Sequence, residues 1–285
     1  MSLEYWFMFP VSVLIATIAM ASGVEGATFF TLFFLLVLRL LPEVAIGTGL
    51  ITEVFGFASG LLAYTRKRLI DYSLGLNLLI VTIPAAILGA WASSRVAPEI
   101  LKTILGVGLA VVGISFLRAL SHKQATLLDG EIQAEIPRLV NTTRLVAADG
   151  EEIKYKVCNR TEGMAISGVG ALFMGLVSTG LGEMNGYFLL QRCQVPSKVA
   201  VATSVFVVAI TALIAASGHL VGFLQGGSDA LATVISLCLF TVPGVIIGGQ
   251  LGSRVASRIS QRILETGLGF LFILVAMLTL GQVIL

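Results

Sequence analysis

The sequence predicts an all-α polytopic membrane protein composed of two inverted repeats. Hydrophobic residues make up 56% of the 285 residues and charged residues only 12%, whereas about a quarter of the residues in a soluble domain are charged. Several apolar stretches reach the roughly 20 residues that cross the hydrocarbon layer as a helix. The two halves of the chain also resemble each other in sequence. These three observations together predict the fold class.

Each half contains five apolar segments between clusters of charged residues. In the first half they are about Trp6–Ser22, Ala27–Leu41, Val44–Thr65, Tyr72–Val96 and Ile100–Leu120. In the second half they are about Gly163–Ser178, Tyr187–Cys193, Val199–Leu224, Ala230–Val255 and Ile263–Leu285. The stretch between the halves is polar. We therefore expect a first membrane repeat at 1–120, a polar insert at 121–162 and a second membrane repeat at 163–285.

Three stretches of the first half have counterparts in the second half. They occur in the same order and at nearly constant offsets, which is typical of a duplication. The pairs are Pro42–Thr48 with Pro196–Thr203, Pro84–Gly89 with Pro243–Gly248, and Ile100–Gly106 with Ile263–Gly269.

The number of segments and the positive charges both indicate that the second repeat is inverted. Five segments per half is an odd number, so the second copy enters the membrane from the opposite side. Cytoplasmic loops carry an excess of Lys and Arg. If Arg66–Arg68 lie in the cytoplasm, 15 of the 18 Lys and Arg residues fall on that side, and Arg39, Arg95 and Lys102 fall outside. We expect a multi-pass protein of the cell inner (cytoplasmic) membrane, with both termini outside and the insert cytoplasmic.

The first two segments of each half are short for complete crossings. Tyr187–Cys193 covers only about 10 Å at 1.5 Å per residue, a third of the hydrocarbon thickness. We expect each short pair to form a re-entrant helical hairpin, followed by three long transmembrane helices. Complete short crossings stay open as the alternative, above all for the first pair, whose arms each have about 15 residues.

The polar insert carries the pattern of a small β-hairpin. Thr143–Ala148 and Glu151–Val157 flank Asp149-Gly150, a pair of residues that favours a type I′ turn. Apolar and charged residues alternate along the second stretch, as in a half-buried strand. A linker between the repeats is the simplest role for the insert, and regulation or partner binding stays open.

Two polar breaks within apolar sequence are the candidate substrate site. They are Ser22–Thr28 and Ser178–Gly186. Non-helical backbone at membrane depth is tolerated only where it is buried in protein or lines an aqueous cavity, and transporters with inverted repeats use such breaks near the midplane. Threonines also commonly bond to their own helix carbonyls, which is the alternative for Thr48 and Thr203. The candidate substrate-binding residues are Ser22, Gly23, Gly26, Thr28, Thr48, Ser178, Thr179, Gly180, Gly182, Asn185, Thr203 and Ser204.

Three carboxylates within or beside apolar segments are candidate proton carriers. They are Glu25, Glu53 and Glu183. A charged carboxylate at the bilayer centre costs at least about 2.5–3.5 kcal/mol, so such residues are usually functional or neutralised. A protonated carboxyl would not repel an anionic substrate, and this predicts proton-coupled anion movement. Glu25 would also fit a solvent-facing loop, and Glu53 would fit a helix–helix hydrogen bond.

Two glycine-rich hairpins, each followed by a proline and a Val-Ala-Xaa-Xaa-Thr helix, resemble the sulfite exporter TauE/SafE family, also called TSUP. The resemblance covers roughly Pro10–Leu120 and Gly163–Leu285, and Ser178–Thr203 is its most specific part. It implies export or uptake of sulfite, thiosulfate or an organosulfonate. Many members have consecutive glycines in the breaks, whereas here Val24 and Glu25 separate Gly23 from Gly26.

Several other classes of function are disfavoured. A net charge of +2 gives no support to nucleic-acid binding, and the chain has no Walker-type phosphate loop. We do not expect an enzyme, because neither His122 nor His219 is predicted within a span beside a nucleophile. The three cysteines have no metal-ligand spacing, so no metal or cofactor is expected. The expected partners are a small anionic substrate and the lipid bilayer, with a homodimer left open. An anion channel and a carboxylate transporter are the alternative functions.

Overall fold

Helices account for nearly all of the regular structure. The computed structural model describes residues 3–22, 25–118, 143–155, 159–226, 228–255 and 261–284. These residues form ten α-helices, a short 3-10 helix at Leu3–Tyr5, a π-helical segment and one two-stranded sheet. The predicted all-α polytopic class is confirmed.

The elements of the two halves follow the same order. The first half contains α1 (Met8–Ser22), α2 (Gly26–Leu36), α3 (Pro42–Lys67), α4 (Tyr72–Ser93) and α5 (Pro98–Arg118). The sheet pairs β1 (Thr143–Val146) with β2 (Glu152–Tyr155). The second half contains α6 (Arg160–Val177), α7 (Leu181–Gly186) with its π-helical continuation Tyr187–Arg192, α8 (Ser197–Gly226), α9 (Ser228–Val255) and α10 (Gln261–Ile284).

Four helices in the described part of the chain are long and apolar enough to cross a membrane, namely α3, α4, α8 and α9. Helices α5 and α10 have 21 and 24 residues, which corresponds to at least about 30 Å at 1.5 Å per residue. The six predicted long segments therefore correspond to six long helices. The short arms differ more from expectation: α2 has 11 residues and α7 has six.

The return arm of the second hairpin starts earlier than its hydropathy indicates. The apolar segment was expected at Tyr187, but helix α7 already begins at Leu181. Ser178 and Gly180 both have positive φ, 60° and 116° respectively. Ser178 follows the last residue of α6 and Gly180 precedes the first residue of α7, so these left-handed conformations separate the two helices. Gly182, Glu183 and Asn185 are therefore helical although they interrupt the apolar pattern.

Corresponding helices of the two halves pack against each other across the molecule. Helix α3 packs on its counterpart α8, and α5 packs on its counterpart α10. The contact between α1 and α9 likewise corresponds to the contact between α6 and α4. Gly47 near the start of α3 lies against Phe223 near the end of α8, so these two corresponding helices are antiparallel. Antiparallel packing of corresponding helices is what an inverted second repeat requires.

Glycines permit the closest of these contacts. A Cβ at Gly89 of α4 would lie 2.3 Å from the carbonyl oxygen of Leu172 in α6. At the corresponding contact, a Cβ at Gly248 of α9 would lie 2.5 Å from the carbonyl oxygen of Val13 in α1. Both backbones are therefore packed too closely for any larger residue. Small residues serve the same purpose at helix interfaces in membranes generally.

The insert forms the predicted β-hairpin. Strands β1 and β2 are antiparallel, with Thr143 opposite Tyr155 and Val146 opposite Glu152. Ile153 and Tyr155 are buried, as the alternating pattern predicted. The predicted second strand extended to Val157, but residues 156–158 lie outside the described residues, as do residues 119–142 at the start of the insert.

The base of this hairpin is joined to the membrane helices by a buried network around Asp71. The Tyr155 hydroxyl donates to Asp71 Oδ2 at 2.8 Å, and Asp71 Oδ1 caps α4 by accepting from the Leu74 amide at 3.0 Å. The Asp71 amide donates to Thr203 Oγ1 of α8 at 3.0 Å. Burial, and then the negative charge of Asp71, raises the pKa of Tyr155 well above its ordinary value.

Candidate substrate site

The two short hairpins and three long helices enclose a cavity of about 200 Å³, called here the inner cavity. Helices α3, α8 and α9 form its walls. Most lining residues are apolar or glycine, and among the described lining residues none is Lys or Arg. The residues are Ala16, Ala19, Glu25, Gly26, Phe30, Glu53, Gly56, Phe57, Tyr64, Gly182, Gly186, Leu190, Ala200, Val201, Ser204, Val205, Val208, Val245 and Gly249.

The tips of the two hairpins touch at Glu25. This residue precedes α2, and its carboxylate accepts from the backbone amide of Gly180 at 3.2 Å and also from the amide of Gly182. Glu183 accepts from the same Gly180 amide, at 3.2 Å from its Oε2. Backbone N–H groups at the start of α7 are thus satisfied by carboxylates of the protein itself. Glu25 is 2% exposed, so it lies in the interface and not in a solvent-facing loop.

Glu53 is the carboxylate in the cavity wall whose only nearby donors are the backbone amides of Gly26 and Ala27 at the start of α2, among the described residues. It is 4% exposed, and neither of its carboxylate oxygens has a hydrogen-bond partner among the described residues. The helix–helix hydrogen bond considered for it from the sequence corresponds to the approach of the Gly26 and Ala27 amides of α2, although that contact lacks standard hydrogen-bond geometry. Removing an unpaired carboxylate from water is costly, so this group favours a proton or a polar ligand.

Five of the residues predicted for the site line the inner cavity: Glu25, Gly26, Glu53, Gly182 and Ser204. Gly180 does not line the cavity, but its amide donates a hydrogen bond to Glu25, which does. Gly23 and the side chain of Ser22 lie outside the described residues. The remaining candidates surround the hairpin tips or lie farther away and do not line the cavity: Thr28, Thr48, Ser178, Thr179, Glu183, Asn185 and Thr203.

The polar groups around the tips fall into two classes. Thr28 Oγ1, Thr179 Oγ1, Glu183 Oε1 and Asn185 Nδ2 are buried and have no hydrogen-bond partner in the described part of the chain. The Ser178 hydroxyl, by contrast, bonds to Thr31 Oγ1 at 2.6 Å. None of these four unpartnered groups belongs to a residue that lines the inner cavity.

Thr48 and Thr203 have other bonding partners. Thr48 Oγ1 donates to the Val44 carbonyl of its own helix at 2.6 Å, which is the ordinary role of a helical threonine. Thr203 Oγ1 accepts from the Asp71 amide. Ser204, the next residue along α8, lines the cavity instead, because successive helical residues are about 100° apart around the axis.

Tyr64 and Phe57 line the cavity but were not among the predicted residues. Phe57 follows Glu53 on α3 by four residues and Tyr64 follows it by eleven, which places all three on one helix face. Ala200, Ser204 and Val208 of α8 also line the cavity from one helix face, at separations of four and eight residues. Counting helical turns along α3 from Glu53 would therefore have identified Phe57 and Tyr64 from the sequence.

From the sequence, His219 is expected near the outer end of its span, and the structure shows it buried between helices close to the start of α3. Its side chain is 2% exposed and its Nε2 lies 2.9 Å from the Gly175 carbonyl oxygen of α6. It packs against Gly47 of α3, and it does not line the inner cavity. Contacts from α3 and α6 therefore bury His219 within the protein.

A second cavity, called here the outer cavity, lies between the β-hairpin, the last turns of α3 and the first turn of α8. Its volume is about 570 Å³. It shares Tyr64 and Val201 with the inner cavity, so these side chains separate the two spaces. The lining residues are Tyr64, Lys67, Leu69, Ala147, Ala148, Asp149, Glu151, Lys198 and Val201.

The described residues contain no group of three or more His, Cys, Asp or Glu side chains arranged to hold a metal ion. The site thus consists of an apolar cavity, two lining carboxylates, a lining serine and the touching ends of two short helices.

Comparison with known proteins identifies the family. The family described as sulfite exporter TauE/SafE matches residues 8–279. The chain belongs to this family. Within it, the TauE/SafE chain is 26% identical over 214 residues to the probable membrane transporter protein YunE of Bacillus subtilis (strain 168), covering 75% of this chain and 72% of that one.

A second relative of this TauE/SafE protein is the probable membrane transporter protein YjnA of the same organism. It is 27% identical over 255 residues, which cover 86% of this chain and 89% of that one. No solved structure matches. Family and relatives agree that the protein is a membrane transporter of the TauE/SafE family.

Proposed function

We propose that the protein is a secondary transporter of small sulfur-containing anions, namely sulfite, thiosulfate or an organosulfonate, across the cytoplasmic membrane. The observation that carries the proposal is the inner cavity, which lies between two touching hairpin tips and is walled by helices long enough to span a bilayer. Sites between such hairpins are typical of transporters with inverted repeats. The family supplies the substrate class.

The lining of the inner cavity favours an organosulfonate among the three substrates. The walls are formed mostly by alanine, valine, leucine and phenylalanine side chains, and apolar walls stabilise a ligand that has carbon atoms to bury. Sulfite and thiosulfate have only polar surface, and the described lining offers them no cationic group.

Proton coupling follows from the two lining carboxylates. Ionised Glu25 and Glu53 would repel an anion in a water-poor cavity, because charges interact strongly where the dielectric constant is low. Protonation of Glu53, which makes no hydrogen bond of standard geometry among the described residues, removes its share of that repulsion. Substrate and proton would then occupy the cavity together.

The insert is proposed to lie on the cytoplasmic side. The β-hairpin contacts Lys67 at the end of α3 and Lys198 near the start of α8. These basic residues therefore share one end of the molecule with Arg144 and Lys154 of the hairpin. A concentration of positive charge at one end is typical of the cytoplasmic side.

Flux into proteoliposomes tests the function. We expect saturable uptake of sulfoacetate that depends on a proton gradient, with sulfite, thiosulfate, taurine, sulfate and simple carboxylates as competitors. Large currents proportional to voltage would indicate the alternative anion channel. Competition by carboxylates with none by sulfur compounds would indicate a carboxylate transporter. A thermal-shift panel with the same compounds on purified protein measures binding independently of flux.

A further inference from the structure

The tip of the β-hairpin covers the outer cavity. Residues 147–149 and Glu151 form one wall of that cavity, and the ends of α3 and α8 form the opposite wall. Since Tyr64 and Val201 line both cavities, the outer cavity adjoins the inner one at these two side chains. A solute that leaves the inner cavity past Tyr64 and Val201 meets the hairpin tip.

The two ends of the hairpin are held differently. At the base, the Tyr155–Asp71 hydrogen bond of 2.8 Å is buried. At the tip, the Ala148 amide donates to the Lys67 carbonyl at 3.0 Å, and Lys198 Nζ lies 2.8 Å from Glu151 Oε2. The side chains of this ion pair are 60% and 41% exposed, and exposed pairs contribute little to stability. The base is therefore fixed and the tip is weakly held.

The ion pair also neutralises Lys198, a cationic group on the path of an anion that enters the inner cavity. Lys67 and Lys198 are the cations among the described residues that line either cavity. Glu151 pairs with Lys198, and its Oε2 lies 2.8 Å from the lysine Nζ. Asp149 faces the same cavity. With the tip in place, the two hairpin carboxylates, both of which act on Lys198, balance the charges of the two lysines, so the outer cavity has no excess positive charge.

We propose that residues 147–151 are a lid over the mouth of the inner cavity, with the Lys198–Glu151 ion pair as its latch. This inference rests on the proposed transport function. When the latch opens, the two carboxylates of the lid move away from Lys67 and Lys198, and the outer cavity becomes attractive to an anion. Lys198 then receives the sulfonate or sulfite group in place of Glu151.

A reversible cross-link tests whether the lid must move. A single N–H···O bond places the Cα atoms of residues 67 and 148 on the order of 5–6 Å apart, within disulfide range. In the double variant Lys67→Cys with Ala148→Cys, we expect oxidation to lower the initial uptake rate at least tenfold and a reductant to restore it. Lys67→Cys alone is the control for the lost charge. Equal uptake by the oxidised and reduced double variant would overturn the lid.

A labelling experiment tests the latch without any substrate. Ser204→Cys places a thiol in the inner cavity, and a membrane-impermeant maleimide reports its access, with labelling of the parent chain subtracted. We expect Glu151→Gln to raise the labelling rate up to about fivefold, the range that an exposed ion pair allows. The charge-exchanged pair Glu151→Lys with Lys198→Glu should return it toward the parent rate.

The two readouts separate this inference from the proposed function. Labelling that responds to the latch, in a protein that moves no sulfur anion, supports the lid and contradicts the proposed substrate. Labelling that is identical in the parent and in Glu151→Gln contradicts the latch, even if the sulfur anions are transported.

Discussion

At the scale of single residues, the carboxylates differ in how they are satisfied. Glu25 accepts backbone hydrogen bonds from the facing hairpin, and Glu183 accepts one within its own hairpin. Glu53 makes none of standard geometry among the described residues, although the amides of Gly26 and Ala27 approach it. A group that is already hydrogen-bonded gains less from a ligand or a proton than an unpartnered one. Glu53 is therefore the stronger candidate for coupling, and Glu25 the stronger candidate for holding the hairpin tips together.

The first prediction concerns Glu53. Glu53→Gln keeps the shape of the side chain but removes its ability to bind and release a proton. We expect proton-driven uptake into proteoliposomes to fall at least tenfold, and the remaining flux to lose its dependence on pH. Glu43→Gln, on the same helix outside the inner cavity, is the matched control and should behave like the parent. Unchanged pH dependence in Glu53→Gln would remove this residue from the coupling role.

The second prediction concerns the base of the insert. Tyr155→Phe leaves Asp71 Oδ2 without the hydroxyl that donates to it at 2.8 Å. Loss of a hydrogen bond to a buried carboxylate should lower the free energy of unfolding by about 1–3 kcal/mol. Thermal unfolding of the purified protein in detergent measures the effect. Tyr72→Phe is the control, since Tyr72 is 47% exposed. Equal melting temperatures for all three proteins would contradict a structural role for this bond.

At the scale of elements, close helix packing is distributed symmetrically between the halves. The α4–α6 contact at Gly89 and the α1–α9 contact at Gly248 occur at corresponding positions of the repeated Pro84–Gly89 and Pro243–Gly248 stretches. Threonines two residues before the two prolines also bond across helices, Thr82 with Thr211 at 3.0 Å and Thr52 with Thr241 at 2.9 Å. The duplicated sequence therefore produces duplicated interfaces.

The third prediction tests these interfaces. Gly89→Ala should place a methyl group 2.3 Å from the Leu172 carbonyl oxygen, and overpacking of this kind costs about 1–3 kcal/mol. We expect a lower melting temperature for Gly89→Ala, and a similar decrease for Gly248→Ala. Gly108→Ala is the control, because no described atom lies within 4 Å of a Cβ at Gly108. A decrease of the same size in Gly108→Ala would mean that the effect is not one of packing.

At the scale of the whole molecule, the inversion connects the charge distribution to the packing. Corresponding helices α3 and α8 are antiparallel, and the basic residues at the end of α3 lie beside those at the start of α8. The first repeat therefore has its basic residues after α3, whereas the second has them before α8, at the same end of the molecule. An inverted duplication brings both sets to one end of the molecule.

The fourth prediction concerns sidedness. Asp149→Cys in the hairpin and Glu99→Cys at the start of α5 should react with an impermeant maleimide from opposite sides of the membrane. We expect Asp149→Cys to be labelled in inside-out vesicles and Glu99→Cys in right-side-out vesicles, with the labelling of the parent chain subtracted. Labelling of both from the same side would contradict the predicted topology.

Much of the fold could be predicted because hydropathy, charge and internal similarity are properties of short stretches of chain. The long helices, the β-hairpin at Asp149-Gly150 and the inverted order of elements follow from such stretches. The start of α7 at Leu181 could not be predicted in this way, because Gly182, Glu183 and Asn185 interrupt the apolar pattern. Their backbone is helical because the left-handed conformations of Ser178 and Gly180 reverse the chain just before them.

The inverted repeat and the two polar breaks were determined by the sequence itself, since charge placement and duplicated motifs persist whatever the helices contact. Only the tertiary structure decided which polar residues face the inner cavity. Thr203 and Ser204 are neighbours in sequence, yet the first bonds to Asp71 and the second lines the cavity. The cavity exists where residues from six helices converge, namely α1, α2, α3, α7 with its π-helical continuation, α8 and α9, and no single stretch of chain contains the distances between them.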